Sequence, residues 1–238
     1  MNRIIYVILL LISVIFVFSS SEEEIATFLI GTPLEAVFTG ILSGNTILFN
    51  LSMGIVVSSI FYLLVVFLPE QAKRRDIQPH LERHITGVLT RAQRLVSQTI
   101  KHSCENYEIS SITKKQFKIV CTKVNPKNII TTFTSDNGHF DAHYGVECFN
   151  NWSHIELHIN EIMHFLPYVD TKIVKVLNEI RNSNLSLGIS ELKKIDTLRN
   201  NNMEVWADNI FDVYVLSENL ERLWLKIVNK KFQHPFKK

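Results

Sequence analysis

The segment Ile47–Leu68, ILFNLSMGIVVSSIFYLLVVFL, constrains this chain more than any other stretch. It carries no formal charge, and apart from Asn50, Ser52, Gly54, Ser58 and Ser59 every residue is Ile, Leu, Val, Phe, Met or Tyr. As a helix rising about 1.5 Å per residue it would be about 33 Å long, close to the thickness of a bilayer's hydrocarbon core. Each central aliphatic or Phe favours insertion by about 0.3–0.6 kcal/mol, which together outweigh the few polar side chains. A buried helix of a soluble protein seldom runs this far without a charge. The segment therefore predicts a membrane span. Pro69-Glu70 and the basic run Lys73-Arg74-Arg75 follow at once.

A second apolar stretch, Ile4–Phe18, lies between Arg3 and Ser19-Ser20-Ser21. A short apolar core followed by small residues also describes a signal peptide, and that alternative stays open. A single positive charge before it and Glu22-Glu23-Glu24 after it favour an uncleaved span. The loop between the two stretches carries four Glu and no Lys or Arg. Positive residues near span ends mark the cytoplasmic side, so Arg3 and the run at 73–75 predict both termini in the cytoplasm and an acidic outer loop. Within that loop Thr32-Pro33-Leu34-Glu35 reads as a helix start, with Gly44 as its stop.

Charge is unevenly spread. Residues 71–130 hold 12 Lys/Arg against 4 acids, whereas residues 131–238 hold 12 against 14, so the basic character is concentrated just after the second span. Such a block, led by Lys73, Arg74 and Arg75, suits anionic lipid headgroups. Direct nucleic-acid binding is not expected, because a solvated helix face accounts for most such runs. Three widely spaced cysteines, Cys104, Cys121 and Cys148, fit a reducing compartment rather than a disulfide scaffold.

Beyond the spans the pattern is helical. In 71–102, Leu81, Ile85, Val88, Leu89, Ala92, Leu95, Val96 and Ile100 recur at helical spacing, with Pro79 expected to bend or restart the helix. Further helices are expected from Ser110 to Val124, from about Glu147 to Phe165, over 171–182 behind an Asp170 cap, near 189–195, and over 203–230. The expected inward stripes are Ile173, Val174, Leu177 and Ile180 in the fourth segment, and Val205, Ile210, Phe211, Tyr214, Leu220, Trp224, Leu225 and Val228 in the last. Thr131–Tyr144 reads as loop, with room for a short strand at 129–133. The fold class is thus a membrane-anchored, mainly α protein: a two-span hairpin at 1–70, a basic amphipathic helix at 71–102, and a cytoplasmic helical domain at 103–238.

No phosphate-binding glycine loop, nucleophile elbow or kinase signature occurs, and no cofactor is expected. His154 and His158 are four apart on one helix face, with His139, Asp141, His143 and Cys148 upstream. The intervening Glu156 is at the wrong offset for a zinc-protease motif, and chance spacing among nine histidines is easy, so no metal site is assigned. Asp141 with Asp170-Thr171-Lys172 has the spacing of metal-dependent nucleases, but a helix-capping role explains Asp170 fully. In the second span Asn50, Gly54 and Ser58 share one face. They form a candidate association surface, either against the first span or against another copy.

The order of parts, the FLPE ending the second span at Phe67–Glu70, the segment QAKRRDIQPHLERHITGVL at Gln71–Leu89 and the segment FLPYVDTKIVKVLNEI at Phe165–Ile180 carry a resemblance. They resemble small two-span bacterial inner-membrane effectors of anti-phage defence cassettes, among them the membrane proteins paired with retrons. The resemblance covers the architecture and these segments, with no catalytic motif. It implies a non-enzymatic inner-membrane toxin, restrained by a cytoplasmic protein or nucleoprotein partner, acting on membrane lipids and assembling as a homo-oligomer. A membrane-anchored scaffold or receptor is the main alternative, and an anchored metal-dependent hydrolase a third.

Overall fold

The structure, a computed structural model, describes residues 3–20, 30–32, 45–135 and 138–232. It is mainly helical. The chain divides into two units, Met1–Arg75 and Asp76–Lys238. The helix expected within 33–44 lies outside the described residues.

In the first unit, α1 (Arg3–Ser20) and α2 (Thr46–Tyr62) pack against each other. Asn45 caps α2, its side chain accepting from the Leu48 N–H. The described residues include one helix long and apolar enough to cross a membrane, within Thr46–His102, and a shorter apolar helix, Ile8–Ser20. Both are compatible with membrane association. Only 11 % of the most apolar window is buried, unlike the core helix of a soluble protein.

α2 passes into a π-helical segment, Leu63–Phe67, and then into α3 (Leu68–His102). The cause lies in Pro69. It has no N–H, and in a regular helix its ring would strike the carbonyl of Val65. The wider turn, in which the Leu68 N–H bonds to the Leu63 carbonyl, makes room for that ring. Pro79, expected to bend or restart the helix, does not restart it; α3 runs through it. One missing donor at an exposed position is outweighed by the stripe that follows, where Leu81, Ile85, Val88, Ala92, Leu95, Val96 and Ile100 are buried.

The second unit has one core. α4 (Lys114–Thr122) starts four residues later than the sequence implied, because Thr113 rather than Ser110 caps it, in a capping box with Gln116. Ile129–Ser135 (β1) and Gly138–His143 (β2) form an antiparallel hairpin, pairing Thr132 with Asp141 and Phe133 with Phe140. β1 contains the short strand expected at 129–133, and β2 corrects the loop reading of the rest, where polar residues masked the signal. α5 (Tyr144–Met163) leads through a 3-10 turn at Leu166–Tyr168 to α6 (Thr171–Arg181), capped by Asp170 as expected. The stripe of α6 includes Val176 in place of Val174. A short helix, α7 (Asn184–Gly188), and 3-10 turns at Ile189–Lys193 and Ile195–Thr197 precede α8 (Glu204–Phe232). In α8, Val205 and Leu225 are exposed, contrary to the expected stripe, while Trp206, Ala207, Ile210, Val213 and Tyr214, with Met203 just before the helix, are buried in the core.

Candidate functional site

Two places in the molecule have chemistry to weigh, one in each unit. In the first, the buried side chains among the described residues of the helix pair are serines: Ser13, Ser19 and Ser20 on α1, Ser52 and Ser59 on α2. Ser13 and Ser20 donate to the carbonyls of Leu9 and Phe16 on their own helix, at 2.8 and 2.5 Å, which leaves a small surface with its hydroxyls satisfied. Ser52 and Ser59 are two turns apart on one face. Asn50, Gly54 and Ser58 lie roughly 150° around α2 from that face, at 100° per residue. All three are exposed, and a Cβ built on Gly54 meets nothing within 4 Å. The sequence left open whether the Asn50 face meets the first span or another copy; here Ser52 and Ser59 are the buried residues of α2, and the Asn50 face is exposed.

Lys73, Arg74 and Arg75 are exposed at the start of α3. Arg74 pairs with Glu70 one turn earlier, at 2.8 Å. An exposed pair of this kind adds little stability.

In the second unit, α3 and α5 meet along a seam of polar contacts. Arg91 donates to the Asn151 side chain at 3.1 Å, Asn151 donates to Gln98 at 3.2 Å, and Gln98 donates to Glu147 at 2.5 Å. Beyond them the Tyr144 hydroxyl meets the Thr99 hydroxyl at 2.5 Å, and the His102 ring lies 4.7 Å from that of Tyr144. Burial pushes Tyr144 well above the ordinary tyrosine range and lowers His102.

Toward the other end of the seam, His84 Nδ1 sits 3.1 Å from His158 Nδ1, the rings 5.4 Å apart and tilted by 59°. One of these nitrogens donates and the other accepts. Gly87 makes the contact possible: a Cβ there would come within 2.4 Å of His158 Nε2, so only a glycine lets the ring lie this close to α3. Burial lowers the His158 pKa, helped by His84, His154, Arg91 and Arg83. His80, one turn before His84, stacks with Phe165 at 6.5 Å.

The neighbour of His158 is therefore His84 on α3, not the His154 of its own helix, which is exposed. His80 and His84 share the four-residue spacing of His154 and His158, but that spacing does not say which rings meet. His143 bonds through Nδ1 to the Lys127 carbonyl at 2.8 Å, Asp141 is exposed on β2, and Cys148 is buried in α5 with its thiol pushed up to about 12 by desolvation. The His139 side chain lies outside what is described. Among the described residues no group of three or more His, Cys, Asp or Glu is placed to hold a metal ion. Asp170 accepts from the Lys172 N–H at 2.8 Å, the cap geometry.

No protein-family model, curated protein or solved structure matches this chain. Function has to be argued from the chain itself.

Proposed function

We propose that this chain is a membrane-anchored effector of a bacterial anti-phage defence system. In this reading it perturbs the inner membrane when released from cytoplasmic partners, and it performs no enzymatic reaction. Two membrane-spanning helices hold it, both termini lie in the cytoplasm, and the helical domain after Arg75 meets the restraining partner. The observation that carries the reading is the uncovered face of α2. Small residues let helix backbones approach in lipid, where apolar side chains alone give no drive to associate. Gly54 and Ser58 provide that surface and Asn50 adds an amide, typically worth about 1 kcal/mol between helices in a membrane. The occupant of the face would be a second copy of the chain, and Lys73, Arg74 and Arg75 would rest against anionic headgroups.

One observation favours the scaffold reading. Ser52 and Ser59 already pack against α1, so the helix pair is complete within a single chain and could serve as an inert anchor. Induced production of the full chain, with membrane potential followed by a voltage-sensitive dye, separates the two. The effector reading expects depolarisation and growth arrest. It expects both, and crosslinked oligomers, to disappear in Gly54→Ile while insertion is retained. Ile60→Leu, on another exposed face of α2, should leave all three unchanged. Full insertion without depolarisation would favour the anchor.

A further inference from the structure

We propose that the contact between His84 and His158 is an acid-sensitive latch on the seam between α3 and α5, closed while at least one ring is neutral and open when both carry an extra proton. The inference stands apart from whatever the apolar helices do. It starts from geometry. Two Nδ1 atoms 3.1 Å apart share one hydrogen bond, which needs an N–H on one ring and a bare nitrogen on the other. A first added proton leaves this arrangement intact, because a charged imidazole still donates to a neutral one. A second proton takes the accepting lone pair. Two N–H groups then face each other on two cations, and the bond becomes a repulsion.

The surroundings give the second proton no relief. Both rings are half-buried, and His158 lies with Nε2 against Gly87, where not even a methyl group would fit between them. The charged groups acting on His158 are His84, Arg83 and Arg91 from α3 and His154 from its own helix, and each opposes a further positive charge. Among the described residues β2, α6 and the 3-10 turn at Ile189–Lys193, which also pack on α5, add no charged group to that set. Nor does a hydrogen bond or ion pair join either ring to a carboxylate among the described residues, although Glu82, Glu156 and Glu161 are on the same two helices. The sign follows from this. Burial first, and these neighbours second, hold the folded His158 below the ordinary histidine value of 6.5. Stability that depends on the neutral ring is complete above that value and is lost as pH falls through the lower, folded one. A drop in pH around the domain would therefore free this end of the seam. His102, at the far end, is also lowered by burial and serves as the control.

The test is amide hydrogen exchange of the purified full chain in detergent, read by mass spectrometry at about pH 7.5 and about pH 5.5, either side of the ordinary histidine value. Each rate is taken relative to an unstructured peptide at the same pH. Peptides covering 84–91 and 151–162 should lose protection at the lower pH, while those from α4 and α8, which hold no histidine, keep theirs. His158→Phe packs a ring against Gly87 that takes no proton, and His84→Asn keeps a hydrogen-bonding group without the charge. In both, the acid-dependent loss should disappear, whatever the protection at the higher pH, so a merely structural role does not mimic the result. If either variant fails to fold at the higher pH, judged by far-UV circular dichroism, the glutamine variant at the same position takes its place. His102→Gln should leave the loss as it is. Unchanged protection of 84–91 and 151–162 in acid would overturn the proposal. So would a loss shared by α4 and α8, a loss that persists in either ring variant, or one that vanishes in His102→Gln.

Discussion

Gly87 shows how much one side chain's absence can decide. A methyl group there would come within 2.4 to 2.7 Å of three atoms of the His158 ring, and that ring is wedged between α3 and His84. Gly87→Ala removes a helix-interior glycine, which alone would favour the helix by about 1 kcal/mol. The collision opposes this gain with an overpacking cost of about 1–3 kcal/mol. We expect net destabilisation, read as a lower melting temperature, together with loss of the His84–His158 contact in the imidazole NMR signals. An unchanged or raised melting temperature would show that the ring has somewhere else to go. No local pattern disclosed this contact, because its partners are 74 positions apart in the chain. Asp170 was legible for the opposite reason: its cap bond reaches only two residues on.

At the level of elements, the helical stripes were readable where apolar residues and burial coincide. The stripe of α3 from Leu81 to Ile100 came through because every turn repeats it. The α8 stripe was right at Ile210, Phe211, Tyr214 and Leu220, which are buried, and misread at its ends, because exposed Val205 and Leu225 look like core whereas Ala207 and Ser217, which are buried, do not. Proline was the least transparent residue. Pro69 is accommodated by a π turn and Pro79 by an otherwise regular helix, although the same rule of a missing donor and a steric clash applies to both. Pro79→Ala should therefore stabilise the protein, by about 1–3 kcal/mol, as helix propensity returns and a hydrogen bond is gained. Thermal unfolding of the full chain in detergent checks this. A fall in stability would mean that the backbone geometry proline favours there is needed for Leu81 and Ile85 to reach the core.

For the molecule as a whole, the division at Arg75–Asp76 makes a claim about independence. The buried cluster from Leu81 to Leu220 lies entirely within the second unit, with Trp152, Trp206, Tyr144 and Phe117 at its centre. A fragment spanning residues 76–232 should then fold in aqueous buffer without detergent, with a helical circular dichroism spectrum and one cooperative urea transition. Precipitation, or a spectrum of an unfolded chain, would show that the core leans on the apolar helices. The apolar helices and the mainly helical content were apparent from hydropathy and periodicity; the second strand, and the α3–α5 seam, which depends on pairing between distant segments, were not.

The three thiols follow from this burial in a way that bears on orientation. Cys121 and Cys148 are sealed in the core and their thiols are shifted up by desolvation. Cys104 is exposed just beyond the end of α3, where it adopts a left-handed backbone with φ of 59°. Thiolate character and access govern alkylation, so the native chain carries a single-residue reporter needing no engineered cysteine. Under the proposed topology, a bulky, membrane-impermeant maleimide should leave intact cells unlabelled and modify Cys104 once the membrane is permeabilised. Labelling of intact cells, lost in Cys104→Ser, would turn the whole domain to the outside.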